Sequence, residues 1–255
     1  MNNPLQDSIH ELPEVMKEVN NEHKPADSNI TDPRRSLRLL KRKCPGDSII
    51  SNGNYVTKPA SDGYVIFPNA IHISPQEDGL IRNTNTKIIF NNNRRNDKKR
   101  SQGAIQRGQI PELFSAIVKL VKGLYPSLAP KSLVVLHSEP GCAAQKPHAD
   151  YDPRDLIGLA DDKVPRGMLI AMDDGTSLDI WPGSYMVSGN PIKKVNISLS
   201  RGDVVVFRGD TVHAGAAYKK ENTRVHVFLD NPNIYRPRNK TWPIQMLAVR
   251  NRIIE

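Results

Sequence analysis

The stretch KPHADYDPRD sets His148 and Asp150 one residue apart. In an extended segment residues i and i+2 point to the same face, so this imidazole and carboxylate can converge on one point. A third ligand must come from elsewhere in the fold. His213, in GDTVHAGAAY, lies 63 positions after Asp150, within an apolar β-type run where an unpartnered imidazole is awkward. Arg224, in ENTRVHVFLD, follows 11 positions later at the head of another apolar run. A guanidinium there needs an anionic partner, because a lone buried charge is expensive. Two histidines and one carboxylate on one face of a metal leave three positions open. That suits Fe(II) receiving a bidentate co-substrate and then O2. Structural zinc is closed by four ligands, commonly with cysteines. Neither Cys44, in a polar arm, nor Cys142, just before the clamp, is well placed for that. Arg224 can hold a carboxylate bidentately.

Each residue also has a plainer reading. His148 and Asp150 could be a loop pair, His213 a satisfied core histidine, and Arg224 a structural arginine tied to Asp203 or Asp210. His137 and Glu139, in VVLHSEPG, form a second His-x-carboxylate pair. His226 lies two residues after Arg224 and so shares its face; it can approach a co-substrate or simply pack. Thr211 and Ser138 are candidate hydroxyl partners for a carboxylate. Trp181 and Tyr185 flank a PGS turn and either line a substrate mouth or pack at its rim.

The elements that must position these residues are mostly strands. SLVVLH, GMLIAM, SLDIW, VNISL, DVVVF, TVHAGAA and RVHVFL are short apolar runs separated by turn residues, with DDGT and RGD as tight turns. Such spacing without intervening helices predicts a sandwich, jelly roll or barrel. IPELFSAIVKLVKGLYP predicts one helix: Pro111 suits its first turn, and Leu113, Ile117, Leu120, Val121 and Leu124 form one apolar stripe. An earlier strand is predicted in DGYVIFPNAI, another at Ile88–Phe90, and an exposed polar loop in the Asn/Arg/Lys stretch that follows.

Residues 1–60 are polar and read as a largely disordered arm, with one short helix near Leu12–Val19. Within the arm, RRSLRLLKRK at 34–43 could direct nuclear import or bind phosphate; a second basic cluster lies at 94–100. The remaining divisions are a domain at 61–235 and a C-terminal extension at 236–255. The net charge of +9 invites a nucleic-acid partner. The excess is spread, however: 16 basic against 12 acidic residues up to 105, and 20 against 15 after it. General solubility explains it equally well. The chain has no apolar run near the roughly 20 residues that cross a bilayer and no secretory signal at its start. Its two cysteines make no disulfide framework. An intracellular location, cytoplasmic or nuclear, is expected.

His148-x-Asp150, His213 and Arg224, in this order and spacing, resemble the iron(II)/2-oxoglutarate-dependent dioxygenase superfamily, in its phytanoyl-CoA-hydroxylase-like and prolyl-hydroxylase-like forms. DGYVIFPNAI is similar to the segment that often opens such domains, TSLDIWPGSYM to a strand–PGS–turn, and LSRGDVVVFRGDTVHAGAAY to the strand pair leading to the distal histidine. The resemblance runs from about Asp62 to Asn231. It implies a mainly β double-stranded β-helix (jelly roll, cupin-like) with flanking helices. It implies Fe(II) on His148, Asp150 and His213, 2-oxoglutarate paired with Arg224, and O2 as oxidant. Hydroxylation of a C–H bond with release of succinate and CO2 would follow; an acidic ligand at 150 fits that outcome. His137 sits where many relatives have a residue touching the co-substrate, and His226 is a second candidate for that role. Relatives that dealkylate nucleic acids usually carry a second arginine where Asp230 stands, and collagen-type prolyl hydroxylases a lysine where Arg224 stands. A protein side chain, a small metabolite and a nucleic acid all remain open as substrate. The rival reading is a catalytically silent β-helix that binds a protein or nucleic-acid partner.

Overall fold

The computed structural model describes residues 62–87, 99–185, 192–237, 240–243 and 253–254. The expected disordered arm, the helix near Leu12–Val19, the basic cluster at 34–43, the strand at Ile88–Phe90 and residues 94–98 of the second basic cluster lie outside the described residues.

Strands β1 (Tyr64–Phe67), β2 (Arg100–Ala104), β3 (Ala129–Ser138), β5 (Arg166–Ala171), β9 (Val204–Arg208) and β11 (Asn222–Asp230) form one sheet in the order β1-β9-β5-β11-β3-β2. A second sheet runs β12-β4-β10-β6-β8, from β12 (Trp242–Pro243), β4 (His148–Ala149), β10 (His213–Gly215), β6 (Thr176–Ile180) and β8 (Val195–Leu199). Pairing within both sheets is antiparallel. A parallel pair joins β7 (Ile192–Lys193) to β13 (Ile253–Ile254). All seven apolar runs from residue 132 onward are strands. Arg100, the last residue of the expected exposed loop, opens strand β2 instead. Its Gln102 and Gly103 pair with the apolar Leu136 and Val135 of β3, so neighbours rather than its own polar sequence hold it extended. Residues 242–243, within the expected C-terminal extension, pair with β4.

The larger sheet is covered on both faces, and its alternation shows which residue goes where. Met168, Ile170, Val204, Val206, Val225 and Val227 pack with helix α2 (Pro111–Leu124) through Leu113, Ile117 and Val121. Their strand neighbours Leu169, Ala171, Val205 and Phe207 point the other way, onto Leu178, Ile180, Ile197 and Leu199 of the smaller sheet. Burial on both faces explains why VVVF and MLIA are continuously apolar rather than alternating. Each fully buried aliphatic side chain contributes about 1.5–3 kcal/mol.

A second helix, α1 (Pro75–Arg82), carries no apolar stripe; its buried residues are Glu77 and Ile81. Glu77 has a specific task. The residue before α2 is Ile110, which offers no capping side chain. Glu77 Oε1 instead accepts from the Glu112 amide (2.8 Å) and Oε2 from the Leu113 amide (3.0 Å). A carboxylate from one helix thus satisfies the orphan donors and positive end of the next.

Candidate metal centre

β4 and β10 are adjacent, and His148 and His213 are directly opposed partners in that pairing. Cross-strand partners stand side by side on one face, so the two rings lie 4.7 Å apart. Each uses the same internal tie: His148 Nδ1 donates to the Lys146 carbonyl (2.8 Å) and His213 Nδ1 to the Thr211 carbonyl (3.0 Å). A proton on Nδ1 leaves Nε2 as a lone-pair donor, the form a metal needs.

Asp150 comes next in the chain, just beyond β4. The Gly209 carbonyl fixes this bend by accepting both the Asp150 amide (3.1 Å) and the Tyr151 amide (3.0 Å). Gly209 can approach so closely because it lacks a side chain; a Cβ there would lie 2.2 Å from the Tyr151 ring. Gly167 does the same from β5: a Cβ there would meet the Phe207 ring at 2.5 Å and Asp150 Oδ2 at 3.2 Å. Asp150 Oδ1 then sits 3.6 Å from His213 Nε2. One ligand atom from each of His148, Asp150 and His213 falls within 4.8 Å of the others.

The electrostatics favour a cation. Burial, helped by the neighbouring His213, pushes the His148 imidazole down to about 4, so it is neutral at ordinary pH. Burial would raise the Asp150 carboxyl, but His213 and His226 beside it hold it well below the usual carboxylate range. Burial would lower His213, yet the Asp150 carboxylate raises it above its ordinary value. A neutral imidazole and an ionised carboxylate are the states a divalent metal takes up.

Arg224 lies on the inner face of β11, in register with Leu136 and Ala171. Its Nη1 donates to Ser138 Oγ (3.0 Å), Asn222 Oδ1 is 3.5 Å away, and the guanidinium lies 5.1 Å from the Tyr218 ring centre. The alternative partners are engaged elsewhere: Asp210 with Arg208, and Asp203 with the amides of Asn69 and Ser200. Ser138 therefore meets Arg224 directly, while Thr211 serves the site through its carbonyl.

His137 lies on the other face of its strand. It shares the parity of Leu133 and Val135, which pack toward α2, whereas Leu136 packs between the sheets. It therefore faces away from Arg224, with Nδ1 3.3 Å from Thr223 Oγ1 and Nε2 3.9 Å from Glu221. His226 stays on the inner face but contacts Asp150, with Nε2 3.2 Å from Oδ2. Trp181 is buried with Ala149, Val212, Ala214 and Trp242, which makes it packing. Tyr185 lies under the Arg208 guanidinium at 4.1 Å. Cys142 is a buried free thiol.

One residue was missed by sequence reading. Arg100, expected in an exposed basic cluster, is only 1% exposed. Its Nη2 donates to the carbonyls of Ala143 (2.7 Å) and Ala216 (2.5 Å), with Gly215 at 3.5 Å. It ties the segment leading into His148 to the residues just after His213. Gln145 adds a second tie: its amide donates to the Gly215 carbonyl (2.8 Å), and its Oε1 accepts from the Gly215 amide (3.1 Å). Nothing in KKRSQG separates Arg100 from its basic neighbours.

No protein-family model and no curated protein matches this sequence. Solved structures do match in fold. "Crystal structure of the non-heme alpha ketoglutarate dependent epimerase SnoN from nogalamycin biosynthesis" aligns at a TM-score of 0.56 and 17% identity, over 82% of this chain and 88% of that one. HygX from Streptomyces hygroscopicus, solved with nickel and 2-oxoglutarate bound, aligns at 0.52 and 11% identity, over 70% and 87%. The "non-heme alpha ketoglutarate dependent carbocyclase SnoK" aligns at 0.50 and 19% identity, over 67% and 81%. The two facing antiparallel sheets described above are thus the double-stranded β-helix fold that this chain shares with SnoN, HygX and SnoK.

Proposed function

We propose that this protein is an Fe(II)- and 2-oxoglutarate-dependent oxygenase that hydroxylates a C–H bond. The observation that carries the reading is the convergence of His148, Asp150 and His213 within 4.8 Å, with Arg224 buried on the inner face of the facing sheet. The donor set fits the ion: two imidazoles tied back through Nδ1 and one ionised carboxylate are the facial triad that leaves open positions for Fe(II) chemistry. When bound, Fe(II) with 2-oxoglutarate and O2 supplies a C–H oxidation that releases succinate and CO2. The chain's own residues position and shield. The Lys146 and Thr211 carbonyls orient the two imidazoles, and Gly209 and Gly167 make room for Asp150. Arg224, steadied by Ser138, would take the distal carboxylate of 2-oxoglutarate through its planar fork. The apolar Leu169, Phe207 and Ile180, all buried, keep water from the interior beside the site, where electrostatic contacts then act more strongly.

SnoN, an epimerase, and SnoK, a carbocyclase, have the same fold, so the fold alone does not choose hydroxylation. The carboxylate ligand Asp150 and the intact triad favour oxidation over a silent binding role. The test is anaerobic: Fe(II) and 2-oxoglutarate are added to the protein and the weak visible charge-transfer band is recorded. The band is expected with wild type and absent in His213→Ala. Succinate should form on admitting O2, even without added substrate. No band in wild type, or an equal band in His213→Ala, would overturn the proposal.

A further inference from the structure

Among the described residues, His226 is the one imidazole near the centre that the triad does not use. It follows Arg224 by two residues on β11, yet its Nε2 reaches Asp150 Oδ2 at 3.2 Å. That oxygen is buried and has no well-aligned hydrogen bond, so the approach of His226 is close but off-axis. The group of ligand atoms within 4.8 Å comprises His148, Asp150 and His213, without His226. The ring of His226 is itself confined, edge-on to Phe228 at 4.4 Å and 6.1 Å from Phe207, and the residue is 8% exposed. An imidazole held this firmly, beside a carboxylate oxygen otherwise lacking a donor, is placed to orient that carboxylate.

We infer that His226 is a positioning residue for Asp150: its Nε2–H donates to Oδ2 and leaves Oδ1 to face the two ligand histidines. This rests on the reading of the triad as an iron site. A carboxylate free to rotate can grip a metal through both oxygens. It would then occupy a further coordination position, one of the three that a bidentate co-substrate and O2 require. Holding Oδ2 on an imidazole prevents that rotation. Outer partners of metal-bound carboxylates and histidines set ligand orientation in this way, and their loss typically weakens metal binding about 10–100-fold. The inference moves His226 from the co-substrate, where sequence reading placed it, to the metal.

The test uses full-length protein and Co(II), whose visible d–d spectrum reports coordination. Wild type, His226→Leu and His226→Gln are titrated with Co(II) by calorimetry, then with 2-oxoglutarate at saturating metal; circular dichroism checks folding. Leucine keeps the bulk and cannot donate, whereas the glutamine amide can reach the Nε2 position and donate. Expected is Co(II) affinity weakened about 10–100-fold in His226→Leu, with an altered d–d spectrum, and largely restored in His226→Gln. The 2-oxoglutarate affinity of the loaded protein should stay near wild type. Unchanged Co(II) affinity and spectrum in His226→Leu would overturn the inference. So would loss of 2-oxoglutarate affinity alone, which would return His226 to the co-substrate. A folded His226→Gln as impaired as His226→Leu would point to packing instead of donation and would also overturn it. Wild type that took up no Co(II) would fail the iron-site reading first, and this inference with it.

Discussion

At the scale of single residues, the site depends as much on absent side chains as on present ones. Gly167 faces the Phe207 ring and Asp150 Oδ2. Gly167→Ala must therefore shift one of them, and it is expected to weaken Co(II) binding at least about tenfold, as loss of outer partners of metal sites does. Overpacking should also lower stability by about 1–3 kcal/mol; calorimetric titration and a denaturant melt read the two effects. Arg224 should separate differently. Arg224→Leu is expected to leave metal binding intact and cost the co-substrate about 2–5 kcal/mol, the usual loss when one partner of a buried charge pair is truncated. Arg224→Lys should rescue little, because an ammonium does not reproduce the fork; 2-oxoglutarate titration of metal-loaded protein checks both. The order and spacing of His148, Asp150, His213 and Arg224 were legible because each is a rare residue in an apolar run or beside one. The face His137 takes was not legible, because strand parity decides it, and parity is visible only once Leu136 is known to point between the sheets. The two glycines were invisible for a related reason: the groups that crowd them, the Tyr151 ring against Gly209 and the Phe207 ring against Gly167, are distant in sequence.

At the scale of elements, α2 could be read from its stripe, whereas α1 could not. PQEDGLIR buries only Ile81 and Glu77, so no apolar period announces a helix. What α1 contributes is a carboxylate to its neighbour. Glu77→Ala should destabilise the protein by about 1–3 kcal/mol, since it leaves two amides at the head of α2 without acceptors. Glu77→Gln, which keeps one acceptor oxygen, should lose less; chemical denaturation measures the difference. The same helix supplies Asp78, which pairs with Arg82 (2.9 Å) and Arg201 (2.8 Å). Partial burial would raise its carboxyl, but the two guanidiniums hold it below the ordinary value. A depressed folded value means that this stabilisation is complete above the unfolded carboxyl value, about 3.9, and is lost as pH falls through the folded one. Thermal melts between about pH 5 and 3 should show a shallower acid loss in Asp78→Asn than in wild type.

At the scale of the whole molecule, the net charge of +9 says less about partners than its size suggests. Arg82, Arg166, Arg201, Arg208 and Arg236 are in ion pairs with aspartates, and Arg100 and Arg224 are buried. Composition counts these charges, but folding leaves Arg100, Arg166, Arg208, Arg224 and Arg236 little exposed, while Arg82 and Arg201 stay partly exposed. The sandwich was legible because a sheet covered on both faces leaves long apolar runs. The pairing order was not, since β1-β9-β5-β11 joins strands far apart in sequence. Ligands drawn from β4 and β10 also make metal a cross-link within the smaller sheet. Co(II) at about 100 times its Kd should stabilise the folded protein by about 2.7 kcal/mol, seen as a raised thermal midpoint that His213→Ala does not show.

Arg100 donates to main-chain oxygens of Ala143 and Ala216, and every residue type offers the same one. The exposed Ala143 can therefore change in related chains with the grip intact. A methyl group at Gly215 would meet Gln145 Oε1 at 2.6 Å and the Arg100 guanidinium at 2.7 Å, so one or both of these ties must shift to admit it. Drift should thus be freer at Ala143 than at Gly215, where change disturbs the grip itself.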